Sequence, residues 1–382
     1  MDIEPSRPAW IEIDEGALAN NVRQIRRLIG PQRLLAGVVK ANAYGHGAIP
    51  VARQILAAGA DRLAVATLSE ALELRTAGID APILVLGYTP PRQAAEVVRA
   101  GVTATVYDVE TAQALAEAAA QQGVRAAVHV KVNTGMNRLG LDPEDAPAFL
   151  EALRAMATLE AEGVFTHFAT SDTDRAFALV QAARFGAMIA ALEAAGLRPP
   201  LVHAANSAAT LTLPETHFDM VRCGIALYGL DPDEEMTPLP AGFRSVLSWK
   251  AEVAQVRTLP PGAGVSYGLE FVTRRSSTLA VIPVGYADGF PRRPLTWGGV
   301  LIHGKEAPIV GRVCMDQSLV DVTDIAAAGE PVRQGDLVVL IGRQGEAAIS
   351  AEEAARRIGT INYDVVSRIL ARVPRIMVGG EA

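Results

Sequence analysis

A chain of 382 residues exceeds what one small core organises, so a large domain with a smaller companion is expected. Half its residues are apolar and 20% charged, which excludes a disordered chain, and a net charge of -7 lacks the basic excess of a nucleic-acid binder. Two cysteines, Cys223 and Cys314, exclude a disulfide scaffold and point to a reducing, cytoplasmic setting.

The opening MDIEPSRPAWIEIDEG is acidic and proline-punctuated and reads as carrying no signal peptide. From there to about residue 230, β-rich runs alternate with stretches of helical period. The strand candidates are 33–40, 62–67, 82–87, 102–107, 126–132, 159–168, 201–206 and 219–227. Helix candidates lie at 16–30, 69–78, 91–101, 109–123 and 172–196, each closing on a glycine suited to a C-cap. Eight strands alternating with helices predict a (β/α)8 TIM-type barrel, with a doubly wound open sheet as the competing arrangement. The acid- and proline-rich stretch 231–242 reads as a linker. Beyond it, short runs at 245–259, 277–287, 298–313, 318–323 and 336–342 predict a mostly β domain. The barrel is placed at residues 12–238 and the β-domain at 239–382, with residues 1–11 joining the latter. Ser350 and Glu353 open one late helix with a capping-box spacing. Apolar runs such as AVIPVGYA are too short to span a bilayer, so no membrane contact is expected. The six histidines occur in no HxH or HExxH pattern, so no metal site is expected.

In a barrel of this kind chemistry sits at the C-terminal ends of the strands. Lys40 ends the first barrel strand, in VVKANAYGHG, and an ammonium there is either a snorkelling surface group or a desolvated amine of lowered pKa. His167, Asn206, Ser207 and Arg222 fall at equivalent strand ends. The loops after the last two strands, ANSAAT and RCGIALYG, offer Ser207, Gly224 and the Ile225 amide as phosphate ligands. A phosphate seat beside a lysine able to form a Schiff base suggests pyridoxal 5'-phosphate (PLP). The glycine-rich GAGVSYG follows LPP rather than a strand and does not read as a dinucleotide turn.

VVKANAYGHG resembles the PLP-attachment signature of alanine racemases. The resemblance continues through HVKVNTGMNRLG, FTHFATSD, HAANSAAT, VRCGIALYGLDP, VSYGLEF, VIPVGYADGFPR, VGRVCMDQSLVDVT and GTINYDVVSRI, nearly end to end. It implies a PLP-dependent enzyme interconverting L- and D-alanine, feeding peptidoglycan synthesis or D-alanine breakdown. Lys40 would hold PLP as a Schiff base and serve as one catalytic base, with Tyr267 as the other. Two opposed bases are needed because the proton leaves one face of the substrate carbon and returns to the other. The same resemblance makes Tyr44, Leu86, Arg138, His167, Asn206, Ser207, Arg222, Gly224, Ile225 and Tyr363 cofactor-binding residues. Arg222 would face the pyridine nitrogen and His167 would hold Arg222. Arg138, Met315, Tyr267 and Tyr286 would contact substrate, with Asp172, Arg312 and Ile361 joining Tyr286 along the access corridor. Lys131 matches a lysine often carbamylated in the family.

The chain departs from the family pattern at Asn133 and Asn137, where Asp and Gly are common, which bears on how Arg138 is held. Family members draw the tyrosine base from a partner chain, which implies a head-to-tail homodimer. Three other readings stand beside this one: a non-catalytic PLP-homeostasis barrel, a PLP decarboxylase, and a racemase of another small amino acid such as serine. The β-domain tyrosine argues against the first. Arg222, where a decarboxylase would place a carboxylate, argues against the second.

Overall fold

A computed structural model describes residues 5–292 and 297–379 and divides them into two compact units. Residues 1–4, 293–296 and 380–382, assigned above to the β-domain, lie outside the described residues. One unit comprises Ala17–Tyr44 and Ala48–Arg244; the other takes the N-terminal stretch through Gly16, Gly45–Gly47, and the chain from Ser245 onward.

The N-terminal strand β1 (Ala9–Asp14) precedes eight parallel strands of the first unit. These are β2 (Leu34–Val38), β3 (Arg62–Val65), β4 (Ile83–Val85), β5 (Thr103–Val106), β6 (Ala126–Lys131), β7 (Leu159–Phe165), β8 (Leu201–His203) and β9 (Met220–Cys223). Each falls inside an expected run and is shorter than it. The ladder runs in order from β8 back to β2, and β2 then pairs with β9. Between β8 and β9 the ring is nearly closed by two backbone bonds, Asp219 N to Val202 O at 3.0 Å and Arg222 N to Ala205 O at 2.9 Å. These strands are apolar on both faces because helices cover one side and the barrel core the other.

The helices start where the chain supplies caps. Thr67 and Glu70 form a capping box on Leu68–Thr76, and Asp108 and Asp174 cap Val109–Gln122 and Arg175–Ala194. In the barrel unit the ten-residue helices Ala48–Ala57 and Ala146–Ala155 were not expected, both with a proline in the first turn, where its missing N–H is harmless. Arg175–Ala194 is long and apolar enough, by length and composition alone, to cross a membrane, contrary to the reading of the apolar runs. Here it follows β7 in the barrel unit and buries Ala178, Gln181, Phe185, Met188, Ile189 and Leu192.

In the second unit β1 lies between two chain-distant strands. It pairs antiparallel with β10 (Leu247–Glu252) and parallel with Arg375–Val378. Burial alternates along β10, as expected of a sheet with one face on a core. Trp249, Phe290 and Trp297 anchor that core, with Trp249 edge-on to both partners at 5.8 and 6.0 Å.

Candidate active site

β2 delivers Lys40 at the barrel's C-terminal rim, and the chain then turns left-handed. Ala41, Asn42, Ala43 and Tyr44 have φ of 53, 54, 54 and 52°. Each non-glycine residue there costs roughly 1–2 kcal/mol, so the surroundings must hold the turn in place. Glu70 accepts the amides of Ala41 and Ala66 at 2.7 Å, and Asn42 Oδ1 accepts from Ala48 N at 2.7 Å. The Tyr44 ring packs 5.1 Å from that of Tyr228 and, with Leu86, against Val38, Ala64 and Leu84. Gly45 and Gly47 continue with φ of 83 and 100°, the conformation expected of GHG.

Burial lowers the Lys40 pKa, Arg138 lowers it further, and Glu70 opposes both. Lys131, at the end of β6, is pushed down to about 8 by burial and then by Arg222, Arg138 and Lys40. Its Nζ sits 5.3 Å from the Phe165 ring centroid. His167 is held well below the usual imidazole range by burial and by the same cations, so it is neutral. Every charged group that shifts Lys131 or His167 is a cation. Such a cluster is complementary to an anionic ligand.

Across the site, Ser207 Oγ accepts from the amides of Gly224 and Ala226 at 3.0 and 3.3 Å. Gly224 is where the backbone can come close: an added Cβ would lie 2.5 Å from Tyr44 Oη. Ile225 opens the turn that follows, Ile225–Tyr228. Asn206 acts here as a cap, its Oδ1 accepting from Ala209 N at 3.0 Å and from Ser171 Oγ at 2.9 Å. Asn133 and Asn137, the two departures from the family pattern, are partners of each other. Asn133 Oδ1 accepts from Asn137 N at 2.8 Å, and its Nδ2 donates to Asn137 Oδ1 at 2.9 Å. Asn137 has φ 57°, a region asparagine tolerates better than most side chains, so it replaces glycine without changing the turn's handedness.

Arg222 is held by more than His167. His167 Nδ1 accepts from it at 3.3 Å, but His203 Nδ1 accepts at 2.8 Å, and the carbonyls of Thr166 and Ala204 at 2.9 and 3.0 Å. His203, with His129 and Glu162 behind it, was not among the candidates. Polar residues inside an apolar β-run were the available signal.

Tyr267, Tyr286, Met315, Arg312, Ile361 and Tyr363 belong to the other unit. Tyr267 is 66% exposed and shares a shallow pocket with Ser266, Cys314 and Met315. Ser266, at φ 61°, donates from Oγ to Arg312 O at 2.5 Å and so fixes the approach to Tyr267. Arg312 is ion-paired with Glu270, and the Arg292 guanidinium lies 5.9 Å from the Tyr286 ring centroid.

Fold and site define a class: a (β/α)8 barrel with a mostly β companion, carrying a desolvated lysine at a strand end among cations. Comparison with known proteins makes the class particular. The alanine racemase N-terminal domain matches residues 13–232 and the C-terminal domain residues 246–377. An alanine racemase of Desulfovibrio desulfuricans is 49% identical over 97% of this chain and 98% of its own. The crystal structure of the alanine racemase from Streptomyces lavendulae superposes with a TM-score of 0.91 at 40% identity, covering 99% of both chains. The histidine racemase of Leuconostoc mesenteroides superposes at 0.90 with 33% identity, covering 98% of this chain and 99% of that one. The chain belongs to the alanine racemase family, which is PLP-dependent.

Proposed function

We propose that this protein interconverts L- and D-alanine, with Lys40 and Tyr267 as opposed bases. The observation that carries the reading is Lys40, lowered toward a reactive amine by burial and Arg138 at the end of β2.

The residues present fit PLP. The missing Cβ at Gly224 lets Tyr44 Oη close on the backbone of the loop after β9, where Ser207 also bonds, and the rim supplies cations for an anionic group. Lys40 would hold the cofactor covalently; Tyr44, Ser207, Gly224, Ile225 and Tyr363 would hold its phosphate; Leu86 and Asn206 would line it. When bound, the cofactor supplies stabilisation for the negative charge left on the substrate carbon. The chain's own residues do the rest. Lys40 and Tyr267 each give or take one proton, one on each side of that carbon. Arg222 can only donate, because a guanidinium has no acceptor, so it would offer an N–H to the ring nitrogen of a bound cofactor. Arg138 and the Met315 backbone would bind the substrate carboxylate, and Tyr286, with Asp172, Arg312 and Ile361, would narrow access. Lys131, as a carbamate, would face Arg138 as an anion instead of a cation.

The working form is proposed to be a head-to-tail homodimer in the cytoplasm, without nucleic-acid or membrane partners. The exposure of Tyr267 in the single chain supports a base presented to another copy. Supply of D-alanine to peptidoglycan or its catabolism is the corresponding role. A second reading, a racemase of another amino acid, is favoured by the likeness to a histidine racemase. Each enantiomer of alanine, serine and histidine is to be incubated with the purified protein, with and without added PLP. Alanine should turn over fastest and in both directions. Faster cofactor-dependent turnover of another amino acid than of alanine, or turnover of none, would overturn the assignment.

A further inference from the structure

Arg222, His203, His129 and Glu162 form a single file of contacts across the barrel interior. Arg222 Nη1 lies 2.8 Å from His203 Nδ1, His203 Nε2 lies 2.7 Å from His129 Nδ1, and His129 Nε2 lies 2.9 Å from Glu162 Oε2. Both histidines are fully buried. Arg62 closes the far end on Glu162 with two N–H donors at 3.1 and 2.9 Å. The barrel is shaped around this file. β6 and β7 slip register at His129, and a Cβ at Gly163 would stand 2.7 Å from the His129 ring. His203 stacks on Phe165 with centroids 4.8 Å apart and planes within 5°.

The two ends fix every proton in between. A guanidinium cannot accept, so His203 Nδ1 must. A neutral imidazole that accepts at Nδ1 carries its proton on Nε2, and that proton goes to His129 Nδ1. His129 is then protonated on Nε2 and donates to the Glu162 carboxylate. Burial keeps both histidines neutral, outweighing the pull of Glu162 on His129. Burial alone would raise Glu162, but the bonds from His129 and Arg62 outweigh it and hold it below the usual carboxylate range. Any reversal along the file would turn an Nδ1–H of His203 against an N–H of Arg222.

We propose that Glu162, acting through His129 and His203, is a positioning residue that sets the direction of this file and thereby aims Arg222 at the cofactor's ring nitrogen. This rests on the function proposed above. Its consequence is specificity: an Arg222 held as a donor keeps a proton off that nitrogen and so favours racemisation over transamination. Glu162→Gln cannot accept all three N–H bonds that meet the carboxylate: with its oxygen toward His129 its NH2 group faces Arg62 Nη2, and with the amide turned the other way that group faces His129 Nε2 and reverses the file.

Six histidines make the test tractable by nitrogen NMR of histidine-labelled holoenzyme. In the wild type, His129 and His203 should both be neutral with the proton on Nε2, unchanged from about pH 6 to 9. Glu162→Gln should alter that pattern and raise transamination relative to racemisation about tenfold or more, read as conversion of bound cofactor to its amine form. Arg62→Lys, which breaks the paired N–H contacts but leaves the carboxylate, should preserve the tautomers. A wild type with Nδ1–H or a charged imidazole at either histidine overturns the proposal, and this holds even if Glu162→Gln fails to fold. So does a folded Glu162→Gln protein with unchanged tautomers and partition. If the protein bound no cofactor, the proposed function would fall instead, while the tautomers would still read out the file.

Discussion

Gly224→Ala tests whether the site depends on the close approach of Tyr44 to the loop after β9. The new methyl carbon would stand 2.5 Å from Tyr44 Oη and 2.9 Å from Cζ, about 1 Å short of an ordinary contact. Tyr44 has little freedom to retreat: its backbone is left-handed and its ring is packed on Tyr228 and on the Val38, Ala64 and Leu84 cluster. Overpacking of this kind costs about 1–3 kcal/mol, which in a unit of this size lowers Tm by roughly 2–4 °C per kcal/mol. Because the clash falls on a proposed phosphate ligand, PLP affinity should fall as well. Thermal unfolding and a PLP titration followed by absorbance give both quantities. In a double-mutant cycle with Tyr44→Ala, which itself forfeits the ring's packing, Gly224→Ala should cost little further, because the atoms it strikes are gone, while cofactor affinity stays low. If Gly224→Ala matched the wild type within about 0.5 kcal/mol and bound PLP equally well, the proposed close-packed seat would be wrong.

Other expectations follow from the same geometry. Lys40→Ala should abolish the visible absorption of a protein-bound Schiff base; an unchanged spectrum would count against PLP attachment at this lysine. Lys131 titrates near 8 in the fold against 10.5 ordinarily, so between those values the unfolded chain binds more protons and stability rises with pH. Urea unfolding in carbon dioxide-free buffer should show that rise, and Lys131→Met should flatten it. Asn133→Asp and Asn137→Gly should each be destabilising alone and largely compensating together, with a coupling of about 0.5–3 kcal/mol in a double-mutant cycle; strict additivity would refute the pairing. Mixing inactive Lys40→Ala and Tyr267→Phe chains should restore activity, and verified hybrid dimers without activity would exclude shared sites.

The parts legible in the sequence were those written locally. A barrel strand covered on both faces reads as a continuous apolar run, so all eight were found, and an ammonium ending such a run marked Lys40. What escaped depended on partners distant in the chain. His129 and His203 are 74 residues apart and Glu162 lies 33 beyond His129; each alone reads as an odd polar residue in a strand. Their meaning lies in facing one another across the barrel, which strand periodicity does not encode. The left-handed run after Lys40 was hidden for a related reason. Only its asparagine has any preference for that conformation, so its cause is the surrounding contacts, Glu70 on the Ala41 amide above all.

The two asparagines show how a departure from a family pattern becomes interpretable only in three dimensions. In the sequence, Asn137 for glycine suggested a bulkier turn that could shift Arg138. In the fold, Asn137 keeps the left-handed conformation a glycine would take, and the Asn133 side chain both accepts from its amide and donates to its carboxamide. An aspartate at 133 could accept but not donate, so it would leave the Asn137 carbonyl oxygen unmet and add a carboxylate on the loop leading to Arg138. The pair therefore keeps the turn that leads to Arg138 without placing a carboxylate at position 133. The two changes are best understood as one: each side chain is the hydrogen-bond partner of the other, and together they hold the left-handed turn that precedes Arg138.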